Sequence, residues 1–177
     1  MNNNLEQATL AGGCYWCTEA VFQNLKGVEK VVSGFSGDTQ EKADYYAVAS
    51  GQTKHAEAIQ IDFDPTVISF ETLLKVHLTT HNPTTLNKQG ADTGPQYRSA
   101  IFYHNETQLK TAKSVIAEIQ AALDSPVVTT LEPYEAFYAA DDEHQNFYRD
   151  NPESLYCQAV IIPKMKKFHD QWSAYLK

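Results

Sequence analysis

Residues His55 to Phe63, HAEAIQIDF, alternate with period two. One face of this segment carries Glu57, Ile59, Ile61 and Phe63; the other carries Gln60 and Asp62. An extended segment of this kind is stable only when its apolar face lies on a core, so the chain must be built round a sheet with one well-covered face. The same period puts the carboxyl of Glu57 on the covered side. On periodicity alone two readings stay open. A frayed strand end lets Glu57 bend out to water. A carboxyl kept inside is desolvated instead, its pKa rises, and it stays protonated near neutral pH. Such an acid can donate to a developing oxyanion.

The remaining elements interleave strands and helices. A short strand is expected over Gln7 to Ala11, ending at Gly12-Gly13. A helical pattern opens at Cys14 and carries Cys17, Ala20, Val21, Asn24 and Leu25 before Gly27 stops it. Val28 to Ser33 reads as a strand, and Gly34 to Gly51 as a long surface loop holding Tyr45 and Tyr46. Ser69 is placed to cap a helix with Phe70, Leu73, Leu74, His77 and Leu78 on one stripe, which Pro83 ends. A second polar loop runs from Thr84 to Arg98. Ser99 to His104 is a buried-strand pattern. Asn105 with Gln108 resembles a capping box for a helix to about Leu123. Val127 to Leu131 reads as a strand, Asp141 to Arg149 and Lys164 to Leu176 as helices. Short strands with long loops argue a compact α+β sandwich over a doubly wound sheet.

Composition narrows the function classes. The 177 residues suit one domain, 1–177, at roughly 150 residues per domain. Residues 1–6 read as a loose N-terminus, and 150–177 as a C-terminal segment whose loop-rich stretch NPESLYCQ carries Cys157. Lys and Arg number 14 against 22 Asp and Glu, a net charge of −8 that repels phosphate backbones and argues against nucleic acid as a partner. No apolar run approaches the ~20 residues of a membrane span. The start, MNNNLEQATL, has no basic region and no apolar signal core, so the expected location is the cytoplasm. Three cysteines in that compartment are no disulfide scaffold; each is reactive, metal-bound or core.

GGCYWC is the sharpest local signal. Cys14 follows a strand and two glycines and opens a helix, where unpaired N–H groups and the helix dipole favour a thiolate. The plain alternative is a small core residue. Cys17 completes a C-x-x-C, for which a core position and a redox pairing stand level on spacing. Zinc would need Cys157 and a histidine to complete four ligands, which makes it the minority reading. Tyr15 and Trp16 set two rings beside Cys14 and could wall an apolar slot for a small methyl-bearing ligand. His77 and His81 stand at a metal-compatible spacing, but His77 lies on the apolar stripe, and core or cap histidines are the simpler reading. Asp141, Asp142 and Glu143 fit the charge preference of a helix start.

Taken together, GGCYWCTEAVF, GVEKVVSGFSG, SGQTKHAEAIQIDFDP, HNPTTLNKQGADTGPQYRSAIFYH, LEPYEAFYAADDEHQNFYR and NPESLYCQAVIIPK resemble the A-type peptide methionine sulfoxide reductases, from about Leu10 to Lys167. The resemblance implies a ferredoxin-like α+β plait with elaborated loops. It implies roles as well: Cys14 as nucleophile, Glu57 as the acid that protonates the sulfoxide oxygen, Tyr45 and Tyr97 as donors to that oxygen, Asp92 as a pocket residue, and Trp16 as the ring that cradles the substrate methyl. Tyr15 stands where the family usually has Phe, and Lys54 where a Gly commonly precedes His-Ala-Glu. The Asn-Pro that often precedes the first donor tyrosine is absent, so Tyr46 is the alternative to Tyr45.

The chemistry implied is reduction of methionine S-sulfoxide, free or in oxidised proteins. Oxygen passes to Cys14 as a sulfenic acid, a second thiol condenses with it, and thioredoxin (or dithiothreitol) reopens the disulfide. Cys157 is the first choice as resolving thiol, with Cys17 as rival or relay. No metal or organic cofactor is required. The rivals are a zinc-binding interaction module on Cys14, Cys17, Cys157 and a histidine, and a general C-x-x-C thiol–disulfide oxidoreductase that would not need Glu57.

Overall fold

The computed structural model describes residues 4–177. Its elements in chain order are β1 (Glu6–Ala11), α1 (Tyr15–Phe22), β2 (Val28–Ser36), α2 (Tyr45–Ala49), β3 (Ala56–Phe63), α3 (Phe70–Thr80), β4 (Lys88–Gln89), β5 (Asp92–Thr93), β6 (Ala100–Tyr103), α4 (Glu106–Ala121), β7 (Thr130–Pro133), β8 (Tyr138–Ala139), α5 (Phe147–Asp150) and α6 (Ile162–Trp172). The architecture is α+β. Six strands form one sheet in the order β7-β6-β1-β3-β2-β8, and β4 pairs with β5 as a separate ribbon. Pairings are antiparallel except β6 with β7. The connections β1-α1-β2 and β3-α3-β6 each skip one strand, so two split β-α-β units interleave.

The period of β3 decides the layers. Ile59, Ile61 and Phe63 join Leu10 of β1 and the buried sides of α1, α3 and α6 in the main core. The opposite face carries small residues, Ala56, Ala58, Ala11 and Ala100 with Phe102, under Tyr134 and Phe137. Small side chains are required there because the 134–137 segment crosses close to the sheet. At Gly34 of β2 a Cβ would run into the carbonyl of Tyr138 on β8. Pairing with β3 runs on to Ser36, opposite Ala56, so β2 extends into the stretch expected as loop.

Local signals set several boundaries. Ser69 caps α3 by accepting from Thr72 N–H at 3.0 Å, and Asn105 caps α4 by accepting from Gln108 N–H at 2.9 Å. Both long loops hold further structure. Asp44 caps α2 in the first, and the second contains the β4–β5 ribbon and a 3-10 turn over Pro95–Tyr97.

Other expectations are corrected. Helix α1 ends at Phe22, short of Gly27, because residues after it pair with the C-terminus: Leu25 bridges Leu176 and Lys26 N–H donates to Tyr175 O. The helix expected over Asp141 to Arg149 is cut to a 3-10 turn and α5, because Asn146 takes a left-handed conformation at φ 53°. The strand expected at Val127 starts at Thr130, where pairing with β6 begins. Of the loose end expected over 1–6, residues 1–3 lie outside the described residues, and Glu6 is already paired with Phe63. The stretch around Cys157 is a helical turn running into α6, and Cys157 lies at 0% exposure in the core. An apolar Cys157 and Ile161 on that turn find burial by winding, which an open loop would deny them.

Candidate active site

Strand β1 delivers the chain to Gly12-Gly13, and Gly13 turns it at φ 89°, a conformation that disfavours a side chain. Cys14 follows as the N-cap of α1, half-buried and extended at φ −60°, ψ 128°. Its side chain makes no capping bond, so the sulfur is not spent on the helix. The first helical N–H, that of Tyr15, donates to Oε1 of Glu57 at 3.2 Å. The helix end thus reaches across to the carboxyl on β3, and Glu57 is only 4% exposed. Of the two readings left open by periodicity, the inward one holds. Burial pushes the Glu57 carboxyl up to about 8, against the Tyr15 N–H bond, with Asp92 and Cys17 adding to the rise.

The expectation for Cys14 itself needs correction. Burial, the hydrogen-bonding Cys17 thiol and the facing Glu57 push the Cys14 thiol up, against the lowering expected at a helix start. The largest cause is burial, which the helix start does not offset. Cys17, 2% exposed, pairs with Cys14, and that hydrogen bond pulls the Cys17 thiol down. The two sulfurs titrate as one unit.

Around this centre the structure gathers most of the expected residues. Tyr45 on α2 is half-buried and stacks on His144 at 4.4 Å between ring centroids; burial and Glu57 raise its phenol. Tyr46 points to solvent at 80% exposure, which separates the two adjacent tyrosines. Tyr97 ends the 3-10 turn before β6, and its phenol is raised by burial and then by Glu57, Asp92 and Cys14. Asp92 on β5 accepts from the Tyr156 hydroxyl at 3.2 Å, and that hydroxyl lies 3.4 Å from the Cys17 sulfur. Trp16 stacks on Phe147 at 3.7 Å and meets the edge of Tyr156 at 5.6 Å. The Tyr15 ring packs inward, 5.8 Å from both Phe35 and His144. Cys157 is adjacent to Tyr156 in the chain but buried, its N–H held by Ser154 Oγ at 3.2 Å.

Four residues of the cluster were not singled out from sequence: Glu19, His144, Phe147 and Tyr156. Glu19, buried on α1, accepts from the N–H groups of Asn146 at 3.0 Å and Phe147 at 3.3 Å, and so seats the ring that stacks on Trp16. A charged residue among Cys17, Ala20 and Val21 was the available signal. His77 and His81 fall elsewhere. His77 Nε2 lies 2.9 Å from Ala11 O, and His81 Nε2 lies 2.8 Å from Ser99 Oγ, as befits core and cap histidines. Among the described residues no three His, Cys, Asp or Glu side chains are grouped to hold a metal ion, and no helix is long and apolar enough to cross a membrane.

Fold and site together define an α+β protein whose centre is a thiol pair facing a buried, proton-holding carboxyl inside an aromatic wall. A family profile described as peptide methionine sulfoxide reductase matches residues 6–176. The chain is 50% identical over 172 residues to peptide methionine sulfoxide reductase MsrA 1 of Rhodopirellula baltica, covering 97% of this chain and 90% of the relative. It is 48% identical over 175 residues to MsrA of Chromobacterium violaceum, covering 98% and 99%. Among solved structures, reduced Mxr1 of Saccharomyces cerevisiae superposes with a TM-score of 0.82 at 30% identity, over 89% of this chain and 95% of that one. Methionine sulfoxide reductase A of Corynebacterium diphtheriae gives 0.76 at 30%, over 86% and 78%. The chain belongs to the peptide methionine sulfoxide reductase family and is an oxidoreductase.

Proposed function

We propose that this protein reduces methionine S-sulfoxide, free or in oxidised proteins, as a single catalytic domain of the cytoplasm, and that the interleaved β-α-β units are a ferredoxin-like plait. The observation that carries the mechanism is the tie between Tyr15 N–H and Glu57, which sets a neutral carboxylic acid beside Cys14. A sulfoxide sulfur becomes electrophilic when its oxygen takes a proton or strong hydrogen bonds. Glu57 supplies the proton, and Tyr45 and Tyr97 supply hydrogen bonds. Trp16 and the Tyr15 ring hold the methyl side, and Asp92 anchors Tyr156 at the pocket rim.

Cys14 attacks sulfur as the S–O bond weakens. An S–S bond forms to the methionine sulfur while Glu57 protonates the sulfoxide oxygen, and the Cys14 proton replaces the one Glu57 gave up. The hydroxyl then passes to the Cys14 sulfur as the S–O and S–S bonds to the methionine sulfur break, so Cys14–SH and sulfoxide become Cys14–SOH and sulfide. A second thiol then condenses with the sulfenic acid, forming S–S and releasing water. Cys157 remains the resolving thiol of this proposal. It is buried and so needs the turn over 157–161 to unwind, whereas Cys17 already contacts Cys14 and serves as rival or relay. Thioredoxin, or dithiothreitol in vitro, returns both sulfurs to thiols; no metal or organic cofactor takes part.

The test is turnover of separated methionine sulfoxide epimers with thioredoxin or dithiothreitol. The S epimer should be consumed and the R epimer left. Consumption of neither, or of both alike, would overturn the reading.

A further inference from the structure

Tyr15 carries a hydroxyl that the wall for a methyl group does not need. The residue is 1% exposed, and its hydroxyl is buried with no hydrogen-bond partner. A buried phenol without a partner loses its bond to water and gains nothing back, so each such group in a fold calls for a reason.

The surroundings indicate where this hydroxyl lies. Phe35, against which the ring packs, stands directly opposite Glu57 in the β2–β3 register, so the two share a face of the sheet. His144, the other ring neighbour, is shared with Tyr45 and Trp16. Burial raises the Tyr15 phenol most, and the groups that add to the rise are Glu57, Cys14, Tyr45 and Tyr97 in that order. The Tyr15 side chain is thus enclosed between the neighbour of Glu57 on the sheet and the ring that stacks on Tyr45, and its hydroxyl is left unpartnered there.

We propose that the Tyr15 hydroxyl is a further hydrogen-bond donor to the sulfoxide oxygen, beside Glu57, while the Tyr15 ring walls the methyl side. The inference rests on the reductase reading and deepens it. The S–O bond is strongly polarised, and its oxygen gains charge as the Cys14–S bond forms. A donor already stripped of water gives up nothing when that oxygen arrives, so its hydrogen bond adds fully to binding and grows toward the transition state. Tyr45 and Tyr97, both half-buried, must shed water first. A phenylalanine, the usual residue of the family here, would wall the methyl equally well and donate nothing.

The experiment compares two probes in a Cys14→Ser background that cannot turn over: a blocked methionine S-sulfoxide and the matching sulfide, which lacks the oxygen. Adding Tyr15→Phe should weaken the sulfoxide by about five- to tenfold, the ordinary range for one lost hydrogen bond. It should leave the sulfide affinity unchanged and the melting temperature equal or higher, since an unpaired polar atom is removed. Unchanged sulfoxide affinity would show an idle hydroxyl. Equal weakening of both probes would show a packing role alone. Either result overturns the proposal. Failure of the underlying reading would show separately, as no sulfoxide turnover by the wild-type chain.

Discussion

The backbone N–H of Tyr15 and the carboxyl of Glu57 meet at 3.2 Å, so the first turn of α1 and the middle of the sheet are joined at the residue next to Cys14. Glu57→Gln keeps an oxygen for that N–H but removes the transferable proton. The reductive step should slow by about 10²- to 10⁴-fold, the span of general acid catalysis, and less than in Cys14→Ser. Single-turnover kinetics with a methyl sulfoxide substrate check this; a wild-type rate in Glu57→Gln would refute the acid role.

The same carboxyl gives a pH signature. With Glu57 raised to about 8, the reductive rate should fall with rising pH through that value, and the limb should vanish in Glu57→Gln. Stability moves with the same proton. An unfolded Glu ionises near 4.3, so between there and about 8 the folded state holds the extra proton, and stability declines as pH rises. Glu57→Gln should match wild type in melting temperature near pH 4 and exceed it at pH 8.

His77 acts in the opposite sense. Burial lowers it to about 4, so the folded state lacks a proton that the unfolded state takes up below roughly 6.5. Stability should drop as pH falls from about 6.5 toward 4, and the drop should be shallower in His77→Gln. Denaturant titrations across that window test the difference.

Glu19 holds the aromatic wall from behind. Glu19→Ala would leave the N–H groups of Asn146 and Phe147 without their acceptor and release the Phe147 ring from Trp16. A loss of about 1–3 kcal/mol is expected, the cost of leaving such donors without a partner. The melting temperature and the tryptophan fluorescence report the two effects together.

What could be read from sequence follows from how local each cause is. The β3 alternation, the Ser69 and Asn105 caps and the glycine-to-cysteine turn depend on neighbours in the chain, and they stand where expected. The bridge between Leu25 and Leu176, the β2–β8 pairing and the Trp16–Phe147 stack join distant segments and leave no period to read. Cys14 shows the limit most sharply. Its place at a helix start was legible, but the rise in its pKa was not, because burial and the hydrogen-bonding Cys17 thiol come from packing around it.

The most direct measurement is intact mass after one turnover with a methyl sulfoxide substrate. The wild type should lose two hydrogens, as Cys14 closes a disulfide, and fragment mapping names Cys157 or Cys17 as its partner. A chain with both Cys17 and Cys157 replaced by serine should instead gain one oxygen atom, trapped on Cys14, and Cys14→Ser should stay unchanged while the substrate persists. Substrate reduced by Cys14→Ser, or oxygen found on another residue, would contradict the account.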